Sequence, residues 1–91
     1  MSSQLRAFQN PFNPSTTIRY TLGEASDVRL VVYNVIGQEV RTLVNAHQPP
    51  GTYNVIWDGR DAIGRQVTTG MYIYRLVAGE ELAVKTMVLS R

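Results

Sequence analysis

The chain has 91 residues, of which 44% are hydrophobic and 18% charged, and its formal net charge is only +2. This size and composition indicate one globular domain with a modest core. The absence of cysteine excludes disulfide bonds, a thiolate nucleophile and zinc–thiolate sites. The nine basic residues are scattered among acidic ones, a pattern that gives no support to nucleic-acid binding. The apolar runs are too short for a membrane-spanning helix.

The first fifteen residues predict an irregular segment. Its two Asn-Pro pairs, Asn10-Pro11 and Asn13-Pro14, fix φ at each proline and disfavour helix at the residue before it. We expect residues 1–15 to act as a linker and residues 16–91 to form the domain.

Two strands are predicted next, at Thr16 to Leu22 and at Asp27 to Val35. In the first, apolar and polar residues alternate, as in a strand with one face on the core. The residues expected in the core are Ile18, Tyr20, Leu22, Val28, Leu30 and Val32. The other face of the second strand carries Val31 and Tyr33, and we expect a neighbouring segment or a partner to cover it.

Two more strands are predicted at Glu39 to Val44 and at Gly51 to Trp57. In the third strand Val40 is expected to point inward, with Glu39 and Arg41 outward. A loop is expected at Asn45 to Pro50, because two consecutive prolines are excluded from the interior of a sheet. The residues expected on one face of the fourth strand are Tyr53, Val55 and Trp57.

The last third of the chain predicts a loop followed by a β-hairpin. The loop runs from Asp58 to Thr69, and the two places considered for a short seventh strand are around Arg65-Gln66-Val67 and in the opening segment. The hairpin pairs Met71–Val77 with Leu82–Leu89 across a turn at Ala78-Gly79-Glu80. In its first strand the residues expected inward are Tyr72, Tyr74 and Leu76, with Arg75 outward. Since this hairpin ends the sequence, removing its final residues should remove core.

Six short strands with turn residues between them and no helical period indicate an all-β fold, an antiparallel β-sandwich. The register of the last strand leaves two alternatives open. If Lys85 points outward, Met87 and Leu89 lie beside it as an exposed apolar pair, which would be a contact surface. A one-residue slip, or a sandwich that covers both faces, places that pair in the core.

No residue pattern points to catalysis. His47, the only histidine, lies in the predicted proline-flanked loop, far in sequence from Ser15 and Asp58, and is expected to be a solvated side chain. Asp58 and Asp61 are weak candidates for a calcium site, which needs six to eight oxygen ligands; Asp58 is better interpreted as forming an Asx-type turn. Trp57 is expected in the core rather than on a sugar-stacking platform. We expect neither enzymatic activity nor a cofactor.

Four segments in a fixed order together resemble one family. They are NPFNPSTTIRYTL (Asn10–Leu22), VRLVVYNVIGQEVRTLV (Val28–Val44), GTYNVIWDGRDAIGRQVTTGMYIYRL (Gly51–Leu76) and VKTMVLSR (Val84–Arg91). The combination is similar to the C-terminal sorting domain (type A) of the bacterial type IX secretion system. The WDG…D…G…GMY pattern also resembles the immunoglobulin-like domain of the flagellar hook-capping protein. Both resemblances imply an immunoglobulin-like antiparallel β-sandwich of six or seven strands.

The first resemblance implies a non-catalytic signal that directs an upstream passenger protein across the bacterial outer membrane. The implied partners are the outer-membrane secretion machinery, a sortase-like peptidase and the passenger domain, and the protein is expected to be a monomer. It would pass through the periplasm and become secreted or cell-surface bound. The motif that matches the family's recognition residues comprises Lys85, Thr86, Met87, Val88, Leu89, Ser90 and Arg91.

Two other functions fit the same residues. One is an immunoglobulin-like spacer, accessory or carbohydrate-binding module of a secreted enzyme, with a contact at Val31 and Tyr33 or at Trp57. The other is an assembly domain like that of the flagellar cap.

Overall fold

A computed structural model of the protein describes residues 15–90, which contain six β-strands. They are β1 (Thr16–Leu22), β2 (Ser26–Tyr33), β3 (Glu39–Gln48), β4 (Gly51–Trp57), β5 (Gly70–Ala78) and β6 (Glu81–Leu89). These residues include no helix long and apolar enough to cross a membrane. Most of the predicted linker, residues 1–14, lies outside the described residues, and so does Arg91.

The strands form two antiparallel sheets, which is the predicted all-β sandwich. One sheet pairs β1 with β4, and the other has the order β3-β2-β5-β6. Every paired set of strands runs antiparallel. In the larger sheet β3 and β6 are therefore the edge strands, and β2 and β5 are central.

The core between the sheets consists of two apolar clusters. The first joins three residues of β1 to two of β2, and the second joins β2, β4, β5 and β6. Their buried members are Ile18, Tyr20, Leu22, Val28 and Leu30 in the first cluster and Val32, Trp57, Tyr72 and Leu89 in the second. All six core residues predicted for β1 and β2 are therefore confirmed. Each large side chain so buried contributes roughly 1.5–3 kcal/mol of hydrophobic free energy.

Val31 is also buried, with 3% of its surface exposed, although it lies on the face of β2 turned away from the core. Its partners in register are Thr42 of β3 and Arg75 of β5. Val31 is thus shielded within its own sheet by the flanking strands. Tyr33, on the same face, is only half-buried.

The predicted loop at Asn45 to Pro50 is wrong for its first four residues. Strand β3 continues to Gln48, which pairs with Ser26 at the start of β2. The two prolines end the strand as expected, but only after it has reached the full length of its partner. His47 consequently lies in a strand, not in a loop.

The turn between β2 and β3 is held by one side chain, Asn34. Its Oδ1 accepts hydrogen bonds from the backbone N–H groups of Ile36 (3.1 Å) and Gln38 (2.9 Å). Gly37 adopts φ of 88° there, a left-handed conformation that strains other residues. The predicted end of β2 at Val35 is therefore two residues too late.

The loop after β4 contains no seventh strand. Arg60 and Gln66 form one isolated bridge, and Gly64, at φ of 90°, curls the chain back between them. The other place considered for a seventh strand, the opening segment, lies almost entirely outside residues 15–90.

Candidate functional site

The motif from Lys85 onward lies on β6, at the edge of the larger sheet. β6 pairs with β5 on one side only. Within residues 15–90 its other edge has no strand beside it. The N–H and C=O groups along such an edge are free to pair with another chain.

The hairpin turn sets which way each residue of β6 points. Ala78 pairs with Glu81 across a two-residue turn, and the register continues to Tyr74 opposite Lys85 and Gly70 opposite Leu89. Because Tyr74 packs on the first core cluster, Lys85 shares the core-side face. Such two-residue turns fix register strongly.

The register places Met87 and Leu89 in the core. Leu89 is 1% exposed, and Met87 packs against both clusters. The outward placement of this pair, one of the two alternatives in the sequence, is not observed. Leu89 is therefore part of the core and not of a contact surface, and Met87 is half-buried against it.

The outward face of the hairpin is nevertheless apolar. Val84 is 56% exposed and Val88 64% exposed, and both point away from the core. We call this surface the hairpin outer face, and it comprises Met71, Leu82, Val84 and Val88. Thr86 and Arg75 are the polar residues among them. Contiguous exposed apolar residues mark interaction sites.

The outer face of the smaller sheet has a different character. Its residues are Thr17, Arg19, Thr21, Thr52, Asn54 and Ile56, and Ile56 is its one large exposed apolar residue. The threonines Thr21 and Thr52 hydrogen-bond across the strands at 3.0 Å. This face is an ordinary solvated surface, so the apolar character of the hairpin outer face is specific to one side of the molecule.

His47 pairs with an acidic residue at the surface. Its Nδ1 lies 2.7 Å from Oδ1 of Asp27, its neighbour in register on β2, and both side chains are exposed. Asp58 is occupied elsewhere, with Arg41. The histidine is therefore part of a surface pair between two strands.

The two aspartates considered as calcium ligands form hydrogen bonds within their own loop. Asp58 Oδ1 accepts from the backbone N–H of Arg60 at 3.1 Å, which confirms the Asx-type turn. Asp61 Oδ1 accepts from the N–H groups of Ile63 and Arg65, and the Arg65 guanidinium lies 3.3 Å from Oδ2. Within residues 15–90, no three His, Asp or Glu side chains converge as metal ligands would.

The pKa of the Asp61 carboxyl is held below its ordinary value. The largest cause is the hydrogen bond from the backbone N–H of Arg65, with smaller contributions from Ile63 and from the charge of Arg65. Each of these favours the ionised carboxylate. The lowered pKa of Asp61 is thus a consequence of the hydrogen bonds that close this turn.

Trp57 is fully buried, as expected. Its ring meets Tyr72 edge-on, with 5.0 Å between centroids, and its Nε1 donates to the carbonyl of Arg60 at 3.0 Å. A buried indole cannot stack on a sugar. The Trp57 platform considered for glycan binding is therefore excluded by this packing.

Sequence reasoning missed a connection between the sheets. Arg41 was expected to point outward, but its guanidinium donates to Asp58 at 3.2 Å and to the Arg60 carbonyl at 3.4 Å. It thereby ties β3 of the larger sheet to the segment that follows β4. No local sequence pattern indicates that Arg41 and Asp58, 17 positions apart, form an ion pair.

Comparison with known proteins defines the family. The family model described as the FlgD Ig-like domain matches residues 8–81. The solved structure of FlgD from P. aeruginosa shares 21% identity and a TM-score of 0.64, over 82% of this chain and 58% of that one. At this identity the likeness concerns the fold, and the chain spans little more than half of that protein's length. Among curated proteins no relative matches. The chain belongs to the FlgD Ig-like domain family, and its fold is an immunoglobulin-like antiparallel β-sandwich.

Proposed function

We propose that this domain is a non-catalytic sorting domain that directs an attached passenger protein across the bacterial outer membrane through the type IX secretion system. The observation that carries the proposal is the state of β6. Among the strands of residues 15–90 its outer edge has no neighbour, and Leu82, Val84 and Val88 on its outward face are exposed and apolar. The resemblance of Lys85–Arg91 to the sorting-domain motif points to the same strand.

The extent of the family match adds support. It ends at residue 81, so nearly all of β6 lies beyond the part of the chain that the family model describes. The part of the fold that matches the family model supplies a scaffold, and we assign the recognition role to β6, which lies mostly outside the match. The outward members of the motif within β6 are Thr86 and Val88.

Recognition would use two features of β6 together. A secretion component can add a strand to the free edge through backbone hydrogen bonds. Apolar side chains of that component can cover the hairpin outer face. The residues on the core side of β6 then matter indirectly, because they keep the strand in register.

The proposal places the protein on an export route. The passenger and this domain would reach the periplasm, where the domain folds and meets the outer-membrane machinery. A sortase-like peptidase would then remove the domain from those passengers that are attached to the cell surface. The remainder would be secreted.

A fusion experiment tests the function. A folded reporter enzyme with an export signal is joined upstream of residues 1–91 and produced in a host with an intact type IX system. We expect reporter activity outside the cell, and periplasmic retention both without the domain and in a strain that lacks the secretion machinery. Release that is independent of the domain or of the machinery would refute the proposal.

A second candidate is an immunoglobulin-like accessory module that packs on a neighbouring domain. Membership of the FlgD Ig-like domain family and the hairpin outer face both suit such a role. In that case the reporter fusion stays in the periplasm. The native parent protein would lose stability, but not export, when the hairpin outer face is made polar.

A further inference from the structure

Lys85 occupies an unusual position. It is the only lysine of the chain and stands at the middle of the nine residues of β6. Its register partner is Tyr74, so it lies on the core-side face with Met87 and Leu89. Its side chain is exposed and has neither an ion pair nor a hydrogen bond with any group in residues 15–90. A solvated cation at that point contributes nothing to the core.

The strand around Lys85 is otherwise suited to self-association. β6 carries apolar residues on both faces, and no other strand of the described part of the chain pairs with its outer edge. Strands of this kind template edge-to-edge pairing with a second copy. In the antiparallel register that pairs all nine residues, Lys85 of one copy stands directly opposite Lys85 of the other. Like charges directly opposite each other destabilise a strand pair.

We propose that the free edge of β6 is a docking strand for an extended, apolar segment of a partner protein that carries a carboxylate opposite Lys85, and that Lys85 at the same time prevents two copies from pairing. The inference rests on the proposed function for the identity of the partner, a component of the secretion machinery. The pairing preference itself depends only on β6.

Charge complementarity selects an acidic partner over a second copy. Lys85 is the only charged residue between Leu82 and Ser90. On the hairpin outer face the one charge is Arg75, which is exposed and has no ion pair within the described part of the chain. From Leu82 onward the surface around the free edge is therefore apolar, with two cations that have no ion pair within residues 15–90; the one acidic residue of β6, Glu81, lies at its start, four positions from Lys85. A carboxylate in an added strand would pair with Lys85, whereas another copy of β6 brings a second cation.

A charge-swap experiment on the purified domain tests this edge. The wild-type domain and the Lys85→Glu variant are studied alone and as an equimolar mixture by sedimentation velocity. Each alone is expected to stay monomeric, because like charges face each other. In the mixture opposite charges meet, and association is expected to be about tenfold tighter than in either single sample. Amide shift changes in ¹⁵N spectra should follow β6.

Two further variants sharpen the result. Lys85→Val, which removes the charge, is expected to self-associate more strongly than the wild type. Arg75→Glu, on the central strand β5, is the matched control, because its mixture with the wild type should remain monomeric. Association of the Arg75→Glu mixture would show docking through the face and overturn the edge proposal.

Other outcomes are equally decisive. If the wild-type/Lys85→Glu mixture shows no more association than its components, or if the spectral changes fall outside β6, the inference is wrong. These measurements use no secretion host, so they stand independently of the reporter assay. If the domain pairs as expected but does not export its reporter, the proposed function is wrong and the inference that β6 is a docking strand stands.

Discussion

Adjacent residues of β6 have opposite environments, and Leu89 and Val88 show it most clearly. Leu89 fills the second core cluster, whereas Val88 faces solvent. Replacing Leu89 by alanine should lower the free energy of unfolding by about 2–5 kcal/mol, through lost burial and the cavity left behind. Val88→Ala should change it by no more than about 0.5 kcal/mol. Urea denaturation of the two variants measures this difference, and equal losses would contradict the register.

The ionisation of Asp61, in the loop after β4, makes the free energy of unfolding depend on pH. Because the folded state holds its pKa below the ordinary value of 3.8, the unfolded chain binds more protons in acid. The stabilisation is therefore complete above about pH 5 and is lost as the pH falls through the folded pKa. Asp61→Asn keeps the Oδ1 acceptor of the turn and removes the titration.

The expected result is a smaller loss of stability in acid for Asp61→Asn than for the wild type, measured as the free energy of unfolding between about pH 5 and pH 2. A direct NMR titration of the Asp61 carboxyl should also give a midpoint below 3.8. An identical pH dependence for the two proteins would show that the turn does not stabilise the ionised form.

At the scale of single elements, the turn after β2 depends on Asn34. Asn34→Ala removes the acceptor for two backbone N–H groups and should cost about 1 kcal/mol. Asn34→Asp keeps that acceptor and loses only the hydrogen bond that Nδ2 donates to Oε1 of Gln38 at 2.9 Å. Thermal unfolding distinguishes the two, and a loss of stability in the aspartate variant as large as in the alanine variant would mean that the Nδ2 donor, not the Oδ1 acceptor, stabilises the turn.

The strands were predictable where alternation was clear and their ends were less so. The bounds of β1 and β4 agree with the sequence prediction, because Ile18 and Tyr20 in one, and Val55 and Trp57 in the other, mark a single buried face. The four extra residues of β3, Asn45 to Gln48, were missed because the two prolines that follow them favour a loop. Their strand conformation comes from pairing with β2, which no local pattern reveals.

The face of β6 was undecided in the sequence because the strand is apolar on both sides. The two-residue turn at Gly79 and Glu80 pairs Tyr74 with Lys85, so Lys85 lies on the same inward face as Tyr74. Val84 and Val88 therefore point outward. A two-residue turn between Ala78 and Glu81 is sufficient to fix the register of β6 on β5.

At the scale of the whole molecule, the sandwich is asymmetric. A two-stranded sheet with a polar outer face covers a four-stranded sheet whose hairpin outer face is apolar. The fold class could be predicted from strand count and turn residues. The division into sheets could not, because β1 pairs with β4 across 28 to 40 intervening positions and only tertiary packing selects that partner.

The same asymmetry offers a matched pair of surfaces for testing which face the secretion machinery recognises. Val84 and Val88 are exposed on the hairpin outer face, and Ile56 is comparably exposed on the other sheet. Replacing any of them by serine should leave the fold intact, since none is buried in the core. Only the first two lie where the secretion machinery is proposed to bind.

The most direct test is therefore export of the reporter fusion carrying Val84→Ser and Val88→Ser together, compared with the fusion carrying Ile56→Ser. Loss of two central apolar contacts should reduce the exported fraction by about tenfold or more, while the Ile56→Ser fusion should be exported like the wild type. Circular dichroism of the purified domains verifies that both remain folded. Undiminished export of the folded double variant would contradict the claim that the hairpin outer face is the recognised surface.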